Sequence, residues 1–268
     1  MYERVVIVCG MPRSGTSWLG QIFDSSYEVA FRMEPLFAYQ FKNQINECSS
    51  KKQMLDFLKS VYLTDDDFIL QKENRLKGSY PVFHKNKLPS ILVIKTTRHH
   101  HLLKHYLEYV DNIDIVSIVR HPCAVINSWM STEREFSAKG CKIDKDWRSG
   151  ECRKGGVGEY WGFDDWLSIT ELHNTLSRSY GNFHIVKYKH LVADLRSTIT
   201  GLFKTLSIDF GDQTLSFLEE SQRTHNKDPY SVYKDVRVVG SWEKKLDPSI
   251  SEIIIKETTE RNLGEYLE

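Results

Sequence analysis

One stretch near the start of the chain constrains its fold more than any other. An apolar run at 5–8 is followed by the segment 9–19, CGMPRSGTSWL, which contains two glycines and a proline. Apolar residues then continue at helical spacing at Trp18, Leu19, Ile22 and Phe23. An apolar strand that breaks at glycine and enters a helix is typical of a phosphate-binding strand–loop–helix. The stretch therefore predicts an α/β fold with an anion site at the first helix.

The loop differs from the nucleotide-triphosphate loop GxxxxGK[ST] at one position. Gly10 and Gly15 have the required spacing and Ser17 follows, but Thr16 stands where that motif has lysine. The cation of this loop is Arg13 instead. Its guanidinium would add a bidentate, charge-assisted donor to the backbone N–H groups of the loop.

The rest of the chain alternates apolar runs with amphipathic segments. Strands are predicted at 28–31, 91–94, 113–119 and 183–186. Strands that alternate with helices imply a parallel sheet with right-handed crossovers. No repeat, low-complexity tract or linker marks a boundary within the 268 residues. We therefore predict an α/β, three-layer P-loop-type fold, with a central parallel sheet flanked by helices, in a single domain 1–268.

Polar residues stand at the ends of the predicted strands. Glu34 follows the second strand, Lys95 the third and Arg120 the fourth. Pro35 disfavours helix at Glu34, which keeps this acid at the end of its strand. Because the carboxyl edge of an open α/β sheet faces the ligand crevice, these residues and Arg13 are predicted to form one site.

Arg120 argues against a nucleotide-triphosphate hydrolase or kinase. Such enzymes use a strand that ends in Asp to hold Mg²⁺, whereas the strand 113–119 is followed by Arg120. Ser128 comes eight residues later, about two turns into the next helix, so both side chains can converge on one phosphate. The pattern predicts a nucleotide with two separate anionic groups and no metal.

The composition of the chain argues against nucleic acid and membranes as partners. With 36 basic and 36 acidic residues, no global field favours nucleic acid or an anionic membrane. No apolar run approaches the ~20 residues of a membrane span, and no leader precedes the first strand. The five cysteines form no CxxC pair, which predicts reduced thiols in a cytoplasmic protein. A lumenal domain with a bridge between Cys141 and Cys152 is the alternative.

Four pieces, in this order and spacing, resemble the superfamily of sulfotransferases that use 3′-phosphoadenosine 5′-phosphosulfate (PAPS). They are the loop PRSGTSWL, the strand–Arg–helix–Ser unit IVRHPCAVINS, the segment at Tyr188 and the stretch GSWEK that begins at Gly240. The combination is far more specific than any single piece. It covers the sheet and both predicted anion sites.

The resemblance implies a role for each matching residue. Arg120 and Ser128 would hold the 3′-phosphate, while Trp18 and Tyr188 would contact adenine, and the product would be 3′,5′-diphosphoadenosine (PAP). The residues that would hold the 5′-phosphosulfate are Arg13, Ser14, Gly15, Thr16 and Ser17. Those that would close over the 3′-phosphate are Gly240, Ser241 and Trp242. The family's Arg-Lys-Gly triplet before this last loop is absent, and the candidates to replace it are Arg237, Lys244 and Lys245.

Departures from the family pattern bear on the acceptor. Small-molecule members have a histidine base where this chain has Thr97. Members that act on carbohydrates or on protein tyrosines use a Glu after the second strand, which Glu34 matches, and its Glu-Pro-Leu context looks most like the carbohydrate enzymes. The likeness implies Glu34 as base, with Arg13 and Lys95 at the sulfuryl group. A glycan hydroxyl is thus the predicted acceptor, with protein tyrosine or a small alcohol or phenol as alternatives.

Other interpretations of the same residues stay open at this point. The chain is alternatively a P-loop kinase or ATPase, or a nucleotide-binding module without catalysis. Glu34 is alternatively the cap of a helix that starts at Pro35, Lys95 an ordinary strand-end lysine and Trp18 a core residue.

The segment 131–165 contains several glycines and mixed charges, so it is either a lid over the site or a loose surface loop. Four aromatic residues in or directly after this segment would either stack on sugar rings or form a minor core. They are Trp147, Tyr160, Trp161 and Trp166. His101 and His105 have a spacing that zinc sites use, but no acidic or cysteine partner accompanies them. The run from His99 is therefore predicted to be a solvated helix start without a metal.

Overall fold

The apolar run that opens the chain becomes the central strand of a parallel sheet. The computed structural model describes residues 2–224, 231–233 and 241–268. Within them the sheet has five strands in the order β2-β3-β1-β4-β5, all parallel. The strands are β1 (Arg4–Cys9), β2 (Val29–Met33), β3 (Ile91–Thr96), β4 (Ile113–Val119) and β5 (Phe183–Lys187). The predicted α/β fold is confirmed.

Successive side chains of β1 face opposite sides of the sheet, and a layer of helices packs on each side. Val6 and Val8 face a core formed with the helices at Thr16–Asp24, Leu195–Thr205 and Asp212–Arg223, whereas Val5 and Ile7 face a second core formed with those at Lys51–Leu63 and Leu103–Tyr109. This period of two is expected of a strand buried on both faces. The described helices are α1 (Thr16–Asp24), α2 (Lys51–Leu63), α3 (Lys72–Leu76), α4 (Leu103–Tyr109), α5 (Pro122–Met130), α6 (Ile143–Ser149), α7 (Gly162–Ser179), α8 (Tyr188–Ala193), α9 (Leu195–Thr205), α10 (Asp212–Arg223) and α11 (Pro248–Glu260).

The aromatic residues of 131–166 form a third core rather than a row of exposed sugar platforms. Trp147, Trp161 and Trp166 are all buried against α5, α7 and α11, with Tyr160 packed beside them. Trp161 alone of these also lines the cavity described below. The minor-core interpretation is therefore confirmed for this group, because α6 and α7 turn the rings inward.

A disulfide joins Cys141 to Cys152 across this segment. The prediction of five reduced thiols is wrong for this pair, since α6 reverses the chain and brings the two Cα atoms to 5.3 Å. Cys9, Cys48 and Cys123 are free. No helix in the described parts of the chain is long and apolar enough to cross a membrane.

The histidine run is not a solvated helix start throughout. His100 is fully buried, and its Nδ1 lies 3.1 Å from Nε2 of His173, whose Nδ1 lies 2.7 Å from the Ser117 hydroxyl. The prediction failed here because a 3-10 helix, His100–Leu102, turns one ring inward onto α7. His101 contacts the Tyr160 hydroxyl at 3.1 Å instead.

Candidate active site

The glycine loop leaves the end of β1 in a conformation that suits anion binding. Gly10 and Gly15 have φ values of 153° and 97°, and a Cβ at Gly15 would lie 2.8 Å from the Tyr188 ring. Gly15 is the N-cap of α1, and no side chain caps this helix. The first N–H groups of α1 thus lack an intrahelical or side-chain acceptor and can bind an anion.

Arg13 brings the two predicted anion positions together. Its Nε donates to the Ser128 hydroxyl at 3.2 Å, and its Nη1 lies 3.5 Å from Glu135 Oε2. Arg120 in turn donates from Nη1 to the Arg13 carbonyl oxygen at 3.0 Å. The sequence assigned Arg13 to one phosphate and Arg120 with Ser128 to another, whereas the three side chains form a single contiguous group.

The guanidinium of Arg120 lies beside an aromatic ring and has a buried nitrogen without a hydrogen-bond acceptor among the described residues. Its guanidinium carbon lies 4.6 Å from the Tyr188 ring centroid, and its Nε is buried without a hydrogen-bond acceptor in the described structure. Burial lowers the pKa of Arg120, and the nearby Arg13 lowers it further. The Ser14 hydroxyl is likewise buried without a partner among these residues. Buried polar atoms of this kind are normally satisfied, so both fit an anionic ligand.

Trp18 and Tyr188 lie side by side next to the loop. Their ring centroids are 6.2 Å apart with an interplanar angle of 63°, and Trp18 Nε1 donates to the Ser221 hydroxyl at 3.1 Å. Both rings are only partly buried. Trp18 is therefore not simply a core residue, and the two rings remain available to a planar ligand.

The last predicted loop lies only partly within the described structure. Gly240 and Arg237 are outside the described residues, and Ser241 begins a 3-10 helix, Ser241–Lys244. Trp242 stacks on His121 with centroids 4.5 Å apart. With Arg120 and Tyr188, these two rings line a cavity of about 230 Å³.

Glu34 is the centre of a second polar group at the same sheet edge. Its backbone is left-handed, with φ 45° and ψ 54°, and its N–H donates to the Lys95 carbonyl at 2.8 Å. Its carboxylate accepts bonds from Lys95 Nζ at 3.0 Å and from the Thr96 hydroxyl at 3.0 Å. The Thr97 N–H and hydroxyl each donate at 2.8 Å, and Arg98 Nη1 lies 3.7 Å away.

These contacts bear on the structural alternatives for Glu34 and Lys95. Glu34 occupies the N-cap position of the 3-10 helix Pro35–Phe37, but its side chain makes no capping hydrogen bond to that helix. Lys95 is buried and paired with Glu34, unlike an ordinary strand-end lysine. Burial raises the pKa of the Glu34 carboxyl, but the charges of Lys95 and Arg98 and the Thr97 hydrogen bond outweigh it and lower the pKa to about 2. As it stands, Glu34 is ionised but weakly basic.

A cavity of about 610 Å³ joins the loop to Glu34. Arg13, Thr16 and Ser17 line it on the loop side and Glu34 and Lys95 on the strand side. Lining residues that the sequence analysis did not single out include Phe37, Phe68, Arg98, Glu135 and Arg153. Of these, Arg98 was detectable from its position just after β3, but no pattern marked Glu135 or Arg153.

Comparison with known families agrees with this architecture. The sequence profile of a family described as "Sulfotransferase family" matches residues 5–212, which include β2 to β5 and all of β1 except its first residue. A search of curated proteins finds no match.

Solved structures share the fold at low sequence identity. A mouse sulfotransferase complexed with PAP has a TM-score of 0.59 and 17% identity, over 99% of this chain and 87% of that chain. The sulfotransferase domain of a Synechococcus olefin synthase has a TM-score of 0.53 and 15% identity, over 96% and 94%. A sulfotransferase from Mycobacterium avium has a TM-score of 0.52 and 11% identity, over 97% and 77%.

Proposed function

Because the chain belongs to the sulfotransferase family, we propose that it transfers the sulfuryl group of PAPS to a hydroxyl group of a carbohydrate, as a single sulfotransferase domain. The observation that carries the proposal is Arg120, a half-buried side chain whose Nε is buried without an acceptor and which has no carboxylate partner in the described structure; it donates to the carbonyl of the loop residue Arg13. A kinase would instead place an acid here to hold Mg²⁺. PAPS has the two anionic groups that such a site requires, and PAP is the ligand of the mouse structure.

The nucleotide would span the contiguous group of cations and rings. We assign the 5′-phosphosulfate to the N-terminus of α1, the Ser14 hydroxyl and Arg13, and the 3′-phosphate to Arg120 and Ser128. Adenine would lie against Trp18 and Tyr188, whose partly exposed rings offer stacking surfaces. The fit is supported by the buried Ser14 and Arg120 atoms, which have no acceptor or donor among the described residues.

Two ion pairs in the cavity would change partners when PAPS binds. Arg13 pairs with Glu135 and Lys95 with Glu34 in the structure. Both cations face the position of the phosphosulfate, so transfer of each cation to the incoming anion would leave its carboxylate free. An opposite charge is then removed from Glu34, which raises its pKa from about 2 and makes it a better base.

The reaction itself would be an in-line displacement at sulfur. Glu34 takes the proton of the acceptor hydroxyl, the oxygen forms a bond to sulfur, and the bond from sulfur to the bridging phosphate oxygen breaks, so that PAP leaves with the electron pair. Arg13 and Lys95 neutralise charge that develops on the sulfuryl and bridging oxygens. Lys95 can do so because its Nζ extends from β3 to the Glu34 carboxylate, 3.0 Å away.

The cavity walls support a carbohydrate acceptor. Phe37 and Phe68 lie with ring centroids 5.8 Å apart and are each partly exposed, beside the polar side chains of Gln71 and Asn74. Aromatic faces next to hydrogen-bonding groups suit a sugar, which has apolar C–H faces and a rim of hydroxyls. The Glu-Pro-Leu context of Glu34 points the same way.

One observation behind the predicted cytoplasmic location, the set of five reduced thiols, does not hold. That prediction depended on reduced thiols, and the Cys141–Cys152 disulfide contradicts them. Disulfides persist mainly in oxidising compartments. We retain only the acceptor and donor assignments in the proposal.

The decisive experiment incubates the protein with ³⁵S-labelled PAPS and separate panels of glycans, tyrosine peptides and phenols, with and without Mg²⁺. We expect label on a glycan without Mg²⁺, and no label with the Arg13→Ala variant. Transfer only to phenols or tyrosines would overturn the carbohydrate assignment. Tight PAP binding without transfer to any acceptor would indicate a binding module, and Mg²⁺-dependent ATP hydrolysis would contradict the whole proposal.

A further inference from the structure

Among the residues that the structure describes, four cationic side chains line the cavity beside Glu34, and three of them have carboxylate partners. Arg13 pairs with Glu135, Lys95 with Glu34, and Arg98 with Glu34 and Glu159. The fourth cation, Arg153, makes no salt bridge to any residue that the structure describes, and its Nε is buried without an acceptor there. Its guanidinium carbon lies 5.1 Å from the Trp161 ring centroid.

We propose that Arg153 binds a carboxylate of the acceptor, and that the acceptor is a glycan with a hexuronate residue next to the sulfated sugar or as that sugar. The inference rests on the proposed sulfotransferase function and names its substrate class. A partly buried guanidinium without an anion costs free energy of desolvation, which a bidentate carboxylate would offset.

The chain is anchored on both sides of Arg153 by a disulfide and by ionic contacts. The 3-10 helix Glu151–Arg153 follows α6 after Gly150, and the Cys141–Cys152 disulfide ties it to the segment that precedes α6. The next residue, Lys154, pairs with Asp165 of α7 at 3.0 Å, and Asp165 also accepts a bond from the Trp161 N–H at 2.7 Å. Arg153 is thus anchored on both sides, as expected of a residue that orients a ligand.

The other charges of the cavity limit the acceptor to few negative groups. Asp67, Glu73 and Glu135 also line it, paired with Lys72, Lys77 and Arg13 respectively, so these acids balance the basic residues and leave no excess of positive charge to attract a polyanion. They would accept hydrogen bonds from sugar hydroxyls. A planar, singly charged carboxylate can form two parallel hydrogen bonds with the guanidinium of Arg153. A tyrosine peptide with several acidic residues would instead place some of them near the acidic side chains of the cavity.

The test uses one acidic disaccharide or short oligosaccharide and its uronate methyl ester, which differ in charge but hardly in shape. With labelled PAPS and the full chain, we expect the KM of the free acid to be about 10- to 100-fold lower than that of the ester, the range for a hydrogen bond to a charged group. Arg153→Gln should raise the KM of the acid to that of the ester, with kcat nearly unchanged. Arg153→Lys should restore part of the preference.

Lys139→Gln is the matched control, because Lys139 is exposed in the same segment and the substitution removes the same charge. It should leave both KM values unchanged. Equal KM values for acid and ester in the unmodified protein would overturn the inference while leaving the sulfotransferase function intact. So would weaker PAP binding by Arg153→Gln, which would place Arg153 at the nucleotide, or preferential sulfation of an acidic tyrosine peptide.

Calorimetric binding of acid and ester to the PAP-loaded protein keeps the test independent of turnover. If no acceptor is sulfated but the acid binds more tightly and loses its advantage in Arg153→Gln, the proposed function fails and the carboxylate site stands. Equal binding of acid and ester would overturn the site.

Discussion

The glycine loop at 10–15 and the segment 131–161 line the same cavity but are held in place by different means. The loop follows β1, whose last residue, Cys9, is in register with Thr96 of β3 and Ser117 of β4. The segment contains no strand, and a disulfide and salt bridges such as Lys154–Asp165 anchor it. Backbone pairing therefore positions the side proposed to bind the nucleotide, and side-chain contacts position the side proposed to bind the acceptor.

This difference separates the expected effects of substitutions in the two regions. Changes on the strand edge should lower turnover for every acceptor, because they affect groups at the reacting atoms. Changes in the segment should alter stability or the preference among acceptors. Four experiments probe the distinction, from the largest expected effect to the smallest.

Arg13→Ala should show the largest effect. Arg13 is the loop's cation, and loss of such a donor to a developing charge costs other enzymes ~2.7–4 kcal/mol of barrier, or ~10²–10³ in kcat. Steady-state kinetics at saturating acceptor measure it. Arg13→Lys keeps the charge without the fork and should retain part of the rate. Near-normal sulfation by Arg13→Ala would contradict the role of the loop.

Glu34→Gln should affect both turnover and stability. The folded pKa of about 2 lies below the unfolded value, so the ionised carboxylate stabilises the protein above pH ~4.3. This contribution, about 3 kcal/mol by the size of the shift, is lost as the pH falls through about 2.

Urea unfolding of the unmodified protein and the Glu34→Gln variant measures this difference. The gap in unfolding free energy should be constant near neutral pH and shrink between pH 4.5 and 2. An increase in this free-energy difference on acidification would contradict the interpretation that Lys95 and Thr97 stabilise the ionised Glu34 carboxylate. The kcat of the variant should fall by ~10²-fold, the low end of the range for general-base catalysis, because a carboxylate with a pKa of about 2 is a weak base.

Removal of the disulfide should change stability more than chemistry. Cys141→Ser with Cys152→Ser releases a short closed loop, which lowers the unfolding free energy by ~2–3 kcal/mol. Chemical denaturation measures it, with Cys48→Ser, an exposed free cysteine, as control. Turnover at saturating acceptor should stay close to normal. A large loss of kcat would mean that the two regions are not separable in this way.

Ser128→Ala should have the smallest effect. The Ser128 hydroxyl accepts a bond from Arg13 and is assigned to the 3′-phosphate. One hydrogen bond of this kind contributes ~1 kcal/mol, so PAP should bind about five-fold more weakly in calorimetry. Ser131→Ala is the control, because the hydroxyl of Ser131, at the C-terminal end of α5, donates to the carbonyl of Asn127 in that helix. Equal losses in both variants would argue against a phosphate contact.

Much of the fold was predictable because its signals are local. The predicted strand 113–119 coincides with β4, and the predicted strand 183–186 differs from β5 by one residue. The strand at 28–31 was placed early, and its true end at Met33 puts Glu34 directly at the sheet edge. The order of strands was not predictable, since it depends on pairing between residues far apart in sequence.

The sequence by itself determined a parallel α/β sheet, the glycine loop and the polar residues at the strand ends, because apolar periodicity and glycine geometry act within a few residues. Only the tertiary structure decided that Glu34 is clamped by Lys95 and Thr97, that His100 is buried and that Cys141 bonds to Cys152. It also placed Arg153 in the cavity without a carboxylate from the described chain. Such partners meet through packing of distant segments, where pKa and charge depend on neighbours that no local pattern specifies.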